Sequence, residues 1–313
     1  MKYFNFTIDL AVISLIYCVS IFSRKKILIV AEGYGRWGNR LMLFAYSICW
    51  AKENRSIVLN PSFNEYSKYF AYFKKNILCS VPSMCSQGNI LNELIIHQLI
   101  KSFVRIPKRN GILFKYLSNT LHLSEENKNT ESISFKNVLK TKNVVFLDGF
   151  IMGKRNYDLI KTNKNILVDI FKFKNEIREK GDIFLNSFIE SNKLLIGVCI
   201  RQGDYRSYRN GFYYLKDQQY LKVINSLGDQ FANDVNFFIA SEEPKKDFAN
   251  QPNITVNCGS PALNLYMLSR CDYIIGPPST FMTWASFYND VPVCYIDSKK
   301  WESTRFEFEP TIF

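Results

Sequence analysis

Seven consecutive apolar residues, Leu194-Leu-Ile-Gly-Val-Cys-Ile200, run straight into the polar stretch Arg201-Gln-Gly-Asp-Tyr-Arg206. A run of that length without a charge matches a strand buried on both faces, as strands of parallel sheets are. Open α/β sheets bind their ligands at the C-terminal ends of such strands. Arg201 would stand there with a planar fork of donors suited to phosphate, and Gly203 lets the backbone bend close to a ligand. Read alone, the stretch is also compatible with a surface loop whose charges only solvate it.

The rest of the chain repeats this grammar. Strands are predicted at 27–30, 56–59 and 143–147, then at 194–200, 236–240, 255–257, 273–275 and 293–296, with helical patterns between most of them. Alternation of this kind gives doubly wound parallel sheets. With 313 residues, 47% of them hydrophobic, two domains are expected. The polar helix 175–191 closes the first, so the division is 26–185 and 186–313, preceded by an apolar segment, 1–25.

Two other turns share the strand-to-loop design. After the first strand, Gly33, Gly35 and Gly38 precede a helix with Asn39 and Arg40 near its start and apolar residues at 41, 44, 45 and 48 on one face. Such a turn can receive an anion on its backbone amides, and it equally serves as a tight strand-to-helix connection. Gly276-Pro-Pro-Ser-Thr280 ends another strand and opens a helix, with Ser279 and Thr280 as N-caps whose hydroxyls face the same crevice as Arg201. Glu242 and Glu243 follow the strand 236–240.

Charge and cysteines narrow little. A formal charge of +12 points to an anionic partner, yet the lysines are scattered. The basic stretch 101–115 reads mainly as a solvated face, with a membrane or an acidic acceptor as the alternative. No basic motif has the aromatic spacing of a nucleic-acid binder. The eight cysteines include no CxxC pair and the chain has two histidines, so buried free thiols are expected and no metal site is. Residues 4–22 are mostly apolar but contain Asp9 and precede Arg24-Lys25-Lys26. They read as an anchor, an interfacial helix or a packed helix, which puts the protein at the cytoplasmic face of the membrane.

In order along the chain, these segments resemble the family 11 glycosyltransferases, the bacterial and animal α-1,2-fucosyltransferases. Gly33 to Tyr46 is similar to the family's Gly-Gly-x-Gly-Asn-Gln-x-Phe-Gln-Tyr-Ala opening, with Gly38, Asn39, Phe44 and Ala45 in place. Asp148 to Tyr157 is similar to a second segment, and Val198 to Tyr205 to the His-x-Arg-Arg-x-Asp motif. Phe238 to Glu243, Leu265 to Cys271 and Pro278 to Trp284 resemble three further blocks.

The resemblance implies a GT-B-like fold, two Rossmann-like domains facing a cleft. It implies an inverting transfer of fucose from GDP-fucose to a hydroxyl of an oligosaccharide or lipid-linked glycan, without a metal. It also places Arg201 at the phosphate-binding arginine, with Asp204 holding the loop or touching the sugar. By the same token Gln202, Gly203, Tyr205, Arg206 and Phe281 belong to the substrate site, Ser279 and Thr280 receive phosphate oxygens, and Glu242 or Glu243 binds ribose or guanine. Gly33, Gly38, Asn39 and Arg40 belong to the substrate site as well. Cys199 stands where the motif has histidine and Gln202 where it has its second arginine, a charge that Arg206 or Arg209 replaces if the loop folds back. Asp204 and Glu32 are the carboxylates available as general base. The same fold with another nucleotide sugar, or a protein that binds a GDP-sugar without transferring it, are the alternative readings.

Overall fold

In a computed structural model the run Leu194–Ile200 is the central strand, β5, of a five-stranded parallel sheet with the order β7-β6-β5-β8-β9. The structure describes residues 26–30, 33–73, 79–82, 119–122, 144–148, 154–189, 193–248 and 251–310. The chain divides into two compact units, residues 1–172 and 173–313.

The first unit carries a four-stranded parallel sheet of β1 (Ile27–Val30), β2 (Ile57–Leu59), β3 (Asn119–His122) and β4 (Val144–Asp148), in the order β2-β1-β4-β3. Its long helix α1 (Trp37–Glu53) buries every residue from Leu41 to Ala51. The one-faced helix expected from the sequence is thus enclosed on all sides, as a run with few charges permits. Short α2 (Asn64–Ser67) follows β2, and α3 (Lys154–Thr162) and α4 (Lys164–Ile170) follow β4. Strand β3, Asn-Thr-Leu-His, lacks any apolar run and was not anticipated.

The second unit begins with α5 (Asn175–Ile189), which the sequence assigned to the end of the first domain. It belongs here because Gly181 lies against the Tyr266 ring and Tyr266 donates to Asp182 at 2.7 Å. The order is then β5, α6 (Asp217–Gln230), β6 (Val235–Ser241), β7 (Ile254–Cys258), α7 (Pro261–Leu268), β8 (Tyr273–Gly276), α8 (Thr280–Asn289) and β9 (Val293–Tyr295). Ile196, Val198 and Ile200 of β5, Phe237 and Ile239 of β6, and Tyr220, Val223, Ile224 and Leu227 of α6 form one buried core. Each of the aliphatic and Phe side chains contributes roughly 1.5–3 kcal/mol of burial.

The chain runs outward from β5 through β6 to β7, then returns to the other side of β5 for β8 and β9. The order therefore reverses between β5 and β8, and the C-terminal ends of those two strands flank a topological switch point. Val198 pairs with Ile275, which leaves the turns at Arg201 and at Gly276–Ser279 side by side. Gly276 permits this approach, because a Cβ there would meet the Cys199 carbonyl oxygen at 2.6 Å.

Candidate functional site

The turn after β5 is built around one guanidinium. Arg201 donates from Nε to Asp204 Oδ1 at 3.1 Å and from Nη2 to Asp204 Oδ2 at 2.6 Å. Its guanidinium also lies over the Tyr205 ring, 4.5 Å from the centroid. A bidentate pair and a ring face together fix the plane of the fork. The Arg201 side chain keeps 22% of its surface exposed, and among the described residues its Nη1 donates to no protein acceptor. A cation oriented in this way, with donors to spare, suits a phosphate.

Tyr205 ties that turn to the neighbouring strand end: its buried hydroxyl donates to the Pro278 carbonyl. Burial pushes the Tyr205 phenol up to about 12, so it remains a donor at neutral pH. One residue on, Ser279 caps α8 by accepting from the Met282 amide at 3.2 Å, and Thr280 is the first helical residue. A capped helix start beside a fixed guanidinium provides amide, hydroxyl and cation for one anion. Phe281 is half-buried in that first turn.

The turn after β6 forms the third side. A Cβ at Gly203 would stand 3.5 Å from Glu242 Oε2, so this carboxylate lies against the Arg201 turn. Glu243 is exposed, and its amide donates to Ser241 Oγ at 3.2 Å. Arg201, Gly203, Asp204, Tyr205, Glu242, Ser279 and Thr280 are thus gathered at one edge of one sheet.

Other predicted residues behave differently. Arg206 is turned over the Tyr214 ring at 5.6 Å and Arg209 over Tyr208 at 5.7 Å. Gln202 is buried, and its amide reaches Leu215 O, Asp217 and the ammonium of Lys245. Cys199 is buried, and burial pushes its thiol up to about 12, which removes it from proton transfer at neutral pH. Both oxygens of Asp204 hold Arg201, which makes it an orienting group. Glu32 lies outside the described residues, as do the segments 4–22 and 101–115. Among the described residues no helix is long and apolar enough to cross a membrane.

Gly33, Gly38, Asn39 and Arg40 come together in the first unit. Arg40 donates to Gly35 O at 3.1 Å and to Ser62 O at 2.9 Å, and pairs with Glu65 at 3.3 Å. Its guanidinium fills the space where a Gly33 side chain would be, and Asn39 Nδ2 lies where a Cβ of left-handed Gly35 would be. The glycine turn is thereby braced from within by the two polar residues that open α1.

The sequence reading missed Lys245 and Asp217. In Ser-Glu-Glu-Pro-Lys-Lys a lysine reads as surface, and Asp217 reads as an ordinary first-turn acid. The one available signal was Gln202, a polar residue with no partner of its own in the sequence beside it.

No protein-family model and no characterised protein sequence matches the chain. Solved structures do. A FUT1 variant from Arabidopsis thaliana in complex with GDP is 11% identical, with a TM-score of 0.58 over 87% of this chain and 70% of that one. The fucosyltransferase NodZ from Bradyrhizobium is 14% identical, with a TM-score of 0.56 over 92% of this chain and 99% of that one. POFUT1 in complex with GDP-fucose is 13% identical, with a TM-score of 0.52 over 87% and 98%. At such identities the likeness is one of fold: this chain has the α/β, GT-B-like fold of those fucosyltransferases.

Proposed function

We propose that the protein is a fucosyltransferase that binds GDP-fucose on its second unit and transfers fucose to a glycan hydroxyl. The observation that carries this is the guanidinium of Arg201, held by Asp204 and Tyr205 beside the Ser279 helix start at the switch point. The fold adds support, since similarly folded proteins were crystallised with GDP or GDP-fucose.

In this reading the diphosphate lies between Arg201 and the start of α8. As the C1–O bond breaks, negative charge grows on the departing GDP, and Arg201 with the Ser279 and Thr280 groups stabilises it. Preorganised donors at such a place contribute several kcal/mol, which substitutes for a metal clamp. Asp204 orients the arginine. Glu242 and Glu243 stand on the adjacent turn to accept from ribose or guanine. Transfer inverts C1, as in the family 11 enzymes the chain resembles. The acceptor is a galactose 2-hydroxyl in a surface polysaccharide, handled at the cytoplasmic face of the membrane.

Cys199 favours a second reading, in which a GDP-sugar is bound and not transferred, because a buried thiol replaces the only imidazole of the motif. A mass-spectrometric screen separates the two. Purified protein is incubated with several nucleotide sugars and an oligosaccharide panel, with EDTA present. Fucose transfer that survives EDTA supports the proposal; GDP binding with no product supports the second reading. Transfer from a different donor alone refutes the fucose assignment.

A further inference from the structure

Beneath the turn that carries Arg201 lies a cation that the donor-site reading does not use. The Lys245 side chain is 4% exposed. Its ammonium donates to Gln202 Oε1 and to the Asp217 carboxylate at 3.0 and 3.4 Å. Gln202 Nε2 donates in turn to Asp217 Oδ1 at 2.7 Å and to Leu215 O at 2.8 Å. The three side chains close a triangle in which each touches the other two.

A buried ammonium is costly unless it is paired and hydrogen-bonded, so a closed triangle around one is a built feature. Its corners come from three segments: the turn after β5, the turn after β6 and the first turn of α6. Two of those turns carry Arg201, Asp204 and Glu242. Gln202 is the residue next to Arg201, so fixing its side chain fixes the backbone from which the guanidinium projects.

We propose that Lys245 is a positioning residue: through Gln202 it holds the 201–206 turn in the conformation that presents Arg201 to an anionic ligand. Lys245 does not itself reach the ligand. A neutral glutamine with an ammonium behind it does the work of a single cationic side chain at position 202. An arginine there could donate to both Leu215 O and Asp217, and so make Lys245 dispensable. The effect on ligand affinity rests on the donor-site reading, whereas the ordering of the turn does not.

The test compares full-length wild type, Lys245→Met and the double variant Gln202→Arg/Lys245→Met by hydrogen–deuterium exchange, and titrates each with GDP. In Lys245→Met, exchange of the 201–206 amides should rise about tenfold or more while β5 and β6 stay protected, and GDP affinity should fall about tenfold as the competent conformer becomes rarer. The double variant should recover both. Unchanged exchange in the 201–206 turn, a uniform rise across the second unit, or no recovery in a folded double variant would overturn the proposal. Should Lys245→Met fail to fold, the double variant decides: restored folding with a protected turn supports the role, and failure to fold rejects it. Wild type that shows the exchange pattern yet binds no GDP would sink the donor-site reading and leave the positioning role standing.

Discussion

Replacing Arg201 with alanine is the most direct perturbation of this site. The side chain is about four-fifths covered, with 22% exposed, so its hydrogen bonds to a ligand are only partly screened. Each charge-assisted hydrogen bond contributes roughly 1.5–3 kcal/mol. Nη1 and the second Nη2 hydrogen leave room for two such bonds, which partial screening and non-additivity reduce to about 2–4 kcal/mol together. At ~1.4 kcal/mol per decade, kcat/KM for GDP-fucose falls roughly 30- to 1,000-fold. Folding suffers far less. The Arg201–Asp204 pair is partly exposed on both sides, at 22% and 43%, and such pairs contribute under about 1 kcal/mol. The decisive assay combines calorimetric titration with GDP, transfer followed by mass spectrometry, and a thermal melt. Arg201→Lys should fall between wild type and Arg201→Ala, since it keeps the charge and loses the fork. A folded Arg201→Ala that keeps GDP affinity and kcat/KM within about threefold of wild type would refute the assignment.

Ser279→Asp preserves the cap of α8, so the melting temperature should hold within a few degrees while GDP affinity drops at least about tenfold, read by titration. Equal affinity would remove the helix start from the site. Gly276→Ala forces a Cβ against the Cys199 carbonyl oxygen and should cost about 1–3 kcal/mol, seen as a melting point lowered by several degrees. Iodoacetamide at pH 8 should label exposed Cys258 and spare Cys199 in the folded protein, with peptide mass spectrometry as the readout. Burial raises Cys49, Cys79 and Cys199 from 9.0 to about 12, so above pH 9 the unfolded thiols lose protons that the folded ones keep. Stability should therefore decline from pH 9 towards 12, by up to roughly 1.4 kcal/mol per pH unit for each thiol, and a flat melting curve between pH 8 and 10.5 would contradict this.

Much of the architecture is legible along the chain because burial leaves a local signature. The run Leu194–Ile200 has to be an inner strand, and the runs at 27–30, 235–241 and 273–276 follow the same rule. Gly276-Pro-Pro-Ser-Thr has to end a strand and start a helix, since proline cannot continue a ladder and serine caps. Strand β3 escaped because Asn-Thr-Leu-His carries no such signature. Helix α5 was placed in the wrong unit because its attachment is made by Tyr266, which lies 84 residues away from Asp182.

The sequence by itself determined the strands other than β3, which turns carry cations, hydroxyls and carboxylates, and that the sheets are parallel. Only the tertiary structure decided that β8 returns to the far side of β5, which brings Tyr205 to Pro278 across 73 residues and sets two separate turns at one edge of the sheet. It also decided which charges are buried: Lys245 meets Gln202 across 43 residues, and no local pattern distinguishes it from Lys246 beside it. The reason is physical. Periodicity along a chain reports how one element divides between core and solvent, whereas strand order and the pairing of a buried charge depend on contacts between elements, which neighbouring residues do not encode.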